Sequence, residues 1–328
     1  MKAITDRDIC YGTTAVAPYF NTDGIPREHL DPHEVRTALD FNIVKRQSYD
    51  GLGRVLPGQF HLVREDTNDI IPLNGGVGAR YEPVSHLSVF DYITNKIMPE
   101  VPGMELETVG TLHGLGTGLI VTKVGSDYSV AGDDSPNTQR VVFSNPCNGL
   151  GSILIGFSNV RLWCQNQIPA LIRTVKEDGF AVRHTKNAEL YINNALDTIK
   201  LCIAAARAIQ AKSKDLARVN IDRAFINRML DKLVPCKFNP DTRGFTINEE
   251  RRNEIIGQFE SGPTAESIKG DTAWKLFNSF TYGIYNPSKV GKSMDNAQVA
   301  YSGMVGTRAQ KTMHIFNTIY DEAMRYAA

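Results

Sequence analysis

Four cations stand at multiples of seven in one stretch of the chain: Lys186, Lys200, Arg207 and Lys214. Seven residues advance an α-helix by about two turns, so on one helix these charges form a slowly drifting stripe. Asn193 fills the vacant heptad position with an uncharged polar group. Arg218 follows Lys214 at i+4, and Arg223, Arg228 and Lys232 continue onto the next predicted helix. A row of cations opposite an apolar face suits a phosphate backbone, although many solvated helix faces look alike. Tyr191, Tyr128, Phe143 and Trp163 would supply rings for stacking bases, unless they are core.

Other residues able to do chemistry are scattered. Glu105 and Glu107 alternate onto one face of a predicted strand, the arrangement a metal-dependent nuclease uses, but no lysine follows at the spacing such a site needs. His113 ends that strand beside a glycine-rich turn. His184 sits between Arg183 and Thr185 and could serve Cys164 as a base. Gly291-Lys292-Ser293 imitates the end of a phosphate-binding loop, yet Asn286 stands where that loop needs glycine. The five cysteines show no CxxC spacing, so neither a zinc ribbon nor a disulfide framework is expected. The reading is a non-enzymatic protein with no metal and no cofactor. An enzyme of nucleic-acid metabolism using Glu105, Glu107, His113 or His184 is the alternative, and a protein that binds and inhibits a host protein is a third.

Several elements must position these residues. The chain has 328 residues, 42% apolar and 22% charged, with zero formal net charge, enough apolar material for a core and too much for disorder. The zero hides an asymmetry. Residues 1–182 carry 15 basic and 21 acidic side chains, whereas residues 183–237 carry 11 and 5. Only the second segment can attract a polyanion. Residues 1–70 read as an irregular extension with short strands. Residues 71–183 read as a small antiparallel sheet with helices. Residues 184–328 read as a mostly helical region packed on that core, giving the α+β class. Within this frame a helix over His86–Met98 and strands over Glu105–His113, Gly118–Val124, Arg140–Asn145 and Ser152–Val160 are predicted. A polar loop is expected at Gly125–Gln139, and helices over Leu162–Val175, Asn187–Leu216, Ile221–Leu233 and Ala265–Tyr282. No window is apolar for the roughly 18 residues of a membrane span, and Lys2, Asp6, Arg7 and Asp8 do not read as a signal peptide. A cytoplasmic location is expected, with no membrane partner.

Five stretches together resemble the phage/plasmid-like protein family, an uncharacterised domain of bacteriophages and plasmids. They are Val77-Gly78-Ala79-Arg80-Tyr81-Glu82-Pro83-Val84, Glu107-Thr108-Val109-Gly110-Thr111-Leu112, Val160-Arg161-Leu162-Trp163-Cys164-Gln165-Asn166, Arg183-His184-Thr185-Lys186-Asn187 and the run from Thr272 to Thr281. The resemblance implies a phage or plasmid origin and a host-cell setting. It also marks Cys164, Gln165, Asn166 and His184 as signature residues, and it implies no activity. A sheet followed by a basic helical segment is also the broad layout of single-strand annealing proteins, an analogy at the level of fold. The function expected is therefore single-stranded DNA binding or annealing by a homo-oligomer in phage recombination or replication. Lys186, Lys200, Arg207, Lys214 and Arg218, with Arg161 and Arg183, would neutralise phosphates.

Overall fold

The structure, a computed structural model, describes residues 7–12, 28–72, 76–125, 128–149, 151–161, 167–168, 180–192, 196–235, 238–239, 244–245, 248–285 and 307–328. The α+β class and the antiparallel sheet are present. The chain opens with β1 (Cys10–Gly12), α1 (Pro32–Ala38), β2 (Ile43–Tyr49), β3 (Val55–Arg64) and the two-residue β4 (Val77–Gly78). Helix α1 begins where Asp31 accepts the His33 amide at 2.8 Å, with Pro32 at its first position. Helix α2 (His86–Tyr92) starts under the Ser85 hydroxyl and runs on as a π turn over Ile93–Ile97 and a 3-10 turn over Met98–Glu100.

The main sheet follows: β5 (Met104–Leu112), β6 (Thr117–Val124), β7 (Tyr128–Val130), β8 (Asp133–Pro146), β9 (Ile153–Arg161), β10 (Gln167–Ile168) and β11 (Phe180–Val182). Its order is β1-β5-β6-β8-β9-β10, with β7 paired to β8 and β11 to β9, all antiparallel. The expected polar loop at Gly125–Gln139 is corrected here. Its residues form β7 and the first half of β8, hinged at Ala131-Gly132. Gly132 has φ +75° and bonds the Lys269 amide through its carbonyl at 2.6 Å. Polar side chains do not bar a strand once a turn and a tertiary hydrogen bond hold the backbone. Gln167–Ile168, expected inside a helix, is instead a strand on β9; the rest of that predicted helix lies outside the described residues.

The second half comprises α3 (Ala188–Ile192), α4 (Leu196–Arg218), α5 (Arg223–Leu233), the short hairpin β12 (Phe238–Asn239) and β13 (Gly244–Phe245), α6 (Asn248–Glu260), α7 (Pro263–Ser267), α8 (Ala273–Tyr285) and α9 (Thr307–Ala327). The single helix expected over Ala265–Tyr282 is two, α7 and α8. Ile268 leaves helical geometry to bridge Asp133, and Gly270 turns the chain at φ +81°. No helix among the described residues is long and apolar enough to cross a membrane.

Two apolar clusters hold the fold. One joins Leu30, Val35, Leu39 and Leu62 to Phe90, Ile93, Val109, Ile120, Phe143 and Ile155, and reaches Ile192 and Ile199. The other gathers Phe225, Met229, Trp274, Phe277, Phe280, Phe316 and Ile319 with Tyr128 and Val130 of β7. Helix α4 belongs to both, through Ile199 in the first and Ile209 and Leu216 in the second. Both cores lie on its inner side, which leaves its outer face to solvent.

Candidate nucleic-acid interface

Helix α4 is 23 residues long and strongly two-sided. Ile199, Ile209, Ser213 and Leu216 are buried, one face of a 3.6-residue repeat. Lys200, Ala204, Arg207, Ala208, Ala211, Lys214 and Arg218 are exposed. Lys200, Arg207 and Lys214 are about 10.5 Å apart along the axis, from 1.5 Å of rise per residue. The alanines between them favour the helix and leave the cations unobstructed.

The basic segment divides sharply by what its charges touch. Lys200, Arg207 and Lys214 make no ion pair among the described residues. On α5, by contrast, Arg223 pairs with Glu260 and Lys232 with Glu322 at 2.6 Å. Arg228 lies over the rings of Phe225 and Tyr326, at 5.5 and 5.6 Å. The cations that continue the stripe onto α5 therefore differ from those of α4 in already having partners within the protein. Arg218 is intermediate, highly exposed yet 3.6 Å from Asp215.

An open groove of ≈ 430 Å³ runs between α4 and the lip of the sheet. Lys200, Ile203, Ala204, Arg207 and Gln210 form the helix wall, while Glu100, Val101, Pro102, Val124, Gly125 and Gln139 form the facing wall. Gln139 Nε2 donates to Gln210 Oε1 at 3.2 Å across its floor. Sequence reasoning missed both glutamines. The signal was there for Gln210, a polar residue seven after Ile203 and so on the face turned to the sheet.

Arg183 and Lys186 precede α3, exposed and without an ion pair among the described residues; Lys186 therefore stands off the helix expected to align it with Lys200, Arg207 and Lys214. His184 between them is buried and stacks on Tyr81, ring centroids 5.0 Å apart. Neither of its ring nitrogens has a hydrogen-bond partner among the described residues. Burial, aided by His86, lowers its pKa to about 4. His184 thus braces the loop and cannot touch a phosphate. Beside it, Cys147 donates its thiol to the Val84 carbonyl at 2.9 Å, and Asn145 Nδ2 reaches that carbonyl at 3.0 Å. Burial pushes the Cys147 thiol up to about 12, so it is an inert packing group. Arg161 ends β9 opposite Asn137; its side chain, and Cys164, Gln165, Asn166 and Gly291-Lys292-Ser293, lie outside the described residues.

Of the aromatics expected to stack bases, Tyr128 and Phe143 are core, Trp163 is outside the described residues, and Tyr191 is 54% exposed. Leu190 and Leu201 are exposed as well, at 63% and 62%.

The carboxylate reading is corrected too. A bulge at Glu107, between the Leu106 and Thr108 pairings, breaks the alternation of β5. Glu105 stays exposed, whereas Glu107 turns inward onto Arg140 in a buried ion pair. A carboxylate held by a buried guanidinium is unavailable to a metal. His113 sits at φ +61° in the β5–β6 turn, near the Thr117 hydroxyl. That turn is held by Asp8, whose carboxylate accepts from the amides of Leu115 at 2.7 Å and Gly114 at 2.9 Å. Glu107, His113 and His184 thus each serve a different structural purpose. No group of three or more His, Cys, Asp and Glu among the described residues is placed to hold a metal.

No curated protein and no solved structure matches the chain. A family model, the domain of unknown function DUF932, matches residues 74–315, a span holding the whole cationic face and every strand of the main sheet but β1. On that match the chain belongs to the DUF932 domain family.

Proposed function

We propose that this is a non-enzymatic, phage- or plasmid-encoded protein that binds single-stranded DNA and promotes its annealing in recombination or replication, as a homo-oligomer. The observation carrying the reading is the row Lys200, Arg207 and Lys214: exposed, aligned and without an ion pair among the described residues, while Arg223 and Lys232 on neighbouring α5 have carboxylate partners. Such cations can neutralise phosphates and so release the counterions condensed on a polyanion. Exposed Tyr191, beside Lys186 and Lys200 in the chain, adds a ring for stacking. The resemblance to phage and plasmid proteins supports the origin, and the buried pairing of Glu107 argues against a carboxylate enzyme. The test is fluorescence anisotropy with labelled single-stranded and duplex DNA across a salt series, beside light scattering for mass. Single-strand preference with steep salt dependence is expected; no binding at low salt overturns the reading.

A second reading, a protein that binds a host protein, is favoured by the β2–β3 hairpin tip. Tyr49, Leu52 and Val55 are 57%, 79% and 53% exposed there. The Asp50 carboxylate stiffens the tip by accepting from the Leu52 and Arg54 amides at 2.9 and 2.8 Å. Co-purification of one host protein, lost in Leu52→Asp and free of nucleic acid, would favour it.

A further inference from the structure

We infer that the groove beside α4 receives one unpaired base of a bound strand, with the strand's phosphates on Lys200 and Arg207. This rests on the proposed function and adds what it lacks, a reason for the protein to select single strands. The two walls differ in charge. The cations come from α4, and the facing lip carries Glu100, which repels phosphate. The backbone must therefore follow the helix side, which turns the base toward the sheet. There Val101, Pro102 and Val124 line the facing wall with apolar groups, and Ile203 adds one from the helix.

At the floor, Gln139 is only 8% exposed, and its bond to Gln210 fixes both amides. That bond leaves the Gln139 oxygen as an acceptor and the Gln210 nitrogen as a donor, uncommitted among the described residues. An adjacent acceptor and donor is the complement of the hydrogen-bonding edge a base presents. The groove volume, ≈ 430 Å³, lies in the small-ligand range of roughly 300–1,000 Å³. A base in a duplex is stacked and paired and would have to be extruded first; a single strand offers its bases freely.

The test uses the full-length protein with an oligonucleotide and an abasic oligonucleotide of equal length, and one carrying 2-aminopurine. The intact strand should bind roughly tenfold tighter than the abasic one, and 2-aminopurine fluorescence should change on binding. Gln210→Ala should erase the preference while leaving abasic binding unchanged. Gln139→Ala should do the same; because it is buried, Gln210→Glu serves as a second variant if it fails to fold. Equal affinity for both strands, or glutamine variants that keep the preference, overturns the inference and leaves the cationic face standing. Absence of binding to either strand overturns the parent reading. Displacement of the strand by a lower concentration of free deoxynucleoside monophosphate would make this a nucleotide site and overturn the strand reading.

Discussion

Replacing Lys200, Arg207 and Lys214 together by alanine tests the reading most directly. Each is exposed on α4 and makes no ion pair among the described residues, so each is free to neutralise one phosphate. A single-stranded contact adds about 0.7 to the slope of log affinity against log salt, so three contacts account for a slope of about 2. At about 0.1 M salt each contact is then worth about 1 kcal/mol, and the triple variant should bind roughly a hundredfold more weakly. Stability should hardly move, since exposed substitutions of this kind stay within about 0.5 kcal/mol each and alanine favours the helix. The control is Arg223→Ala with Lys232→Ala, which removes the surface pairs to Glu260 and Glu322. It should leave the slope unchanged and cost under about 1 kcal/mol per pair. Anisotropy across a salt series reads the slope, and thermal unfolding reads the stability. An unchanged slope in the triple variant, or an equal loss in the control, refutes the argument that pairing decides which cations bind.

Other expectations concern the frame. Removing one partner of the buried Arg140–Glu107 pair, as Arg140→Met, should cost roughly 3–5 kcal/mol in urea unfolding, whereas Arg140→Met with Glu107→Leu should recover most of it. His184 has a folded pKa of about 4 against 6.5 ordinarily. The unfolded chain therefore takes up the proton first. Stability is undiminished above about 6.5, falls with pH through that window, and bottoms out near 4, a loss on the order of 3 kcal/mol. His184→Phe should keep the stack on Tyr81 and flatten that dependence, apart from the share of His86, whose pKa burial also lowers. A Cβ on Gly110 would lie 2.1 Å from the Ile9 carbonyl. Gly110→Ala should therefore detach β1 from β5, seen as lost amide protection at Thr111, whose N–H donates to the Ile9 carbonyl. Cys147, its thiol pushed up to about 12, should resist alkylation at pH 8 in the native protein and react on unfolding, as read by mass spectrometry.

The chain itself determined its α+β class, its antiparallel strands and the polarity of α4, because side-chain period is a local property of backbone geometry. Asp31, Ser85 and Asp222 capped their helices as such residues do. The row Lys200, Arg207 and Lys214 was legible for the same reason: helical spacing needs no partner to be read. Tertiary structure alone decided which charges remained free. Arg223 and Lys232 look in sequence like Arg207 and Lys214, yet they meet Glu260 and Glu322, 37 and 90 residues away. Glu107 looked like Glu105 until one bulged residue turned it onto Arg140. The groove depends on Gln139 from the sheet meeting Gln210 from α4 across 71 residues. Such meetings are set by how two apolar cores dock on one helix, and long-range packing of that kind leaves no period in the chain to find it by.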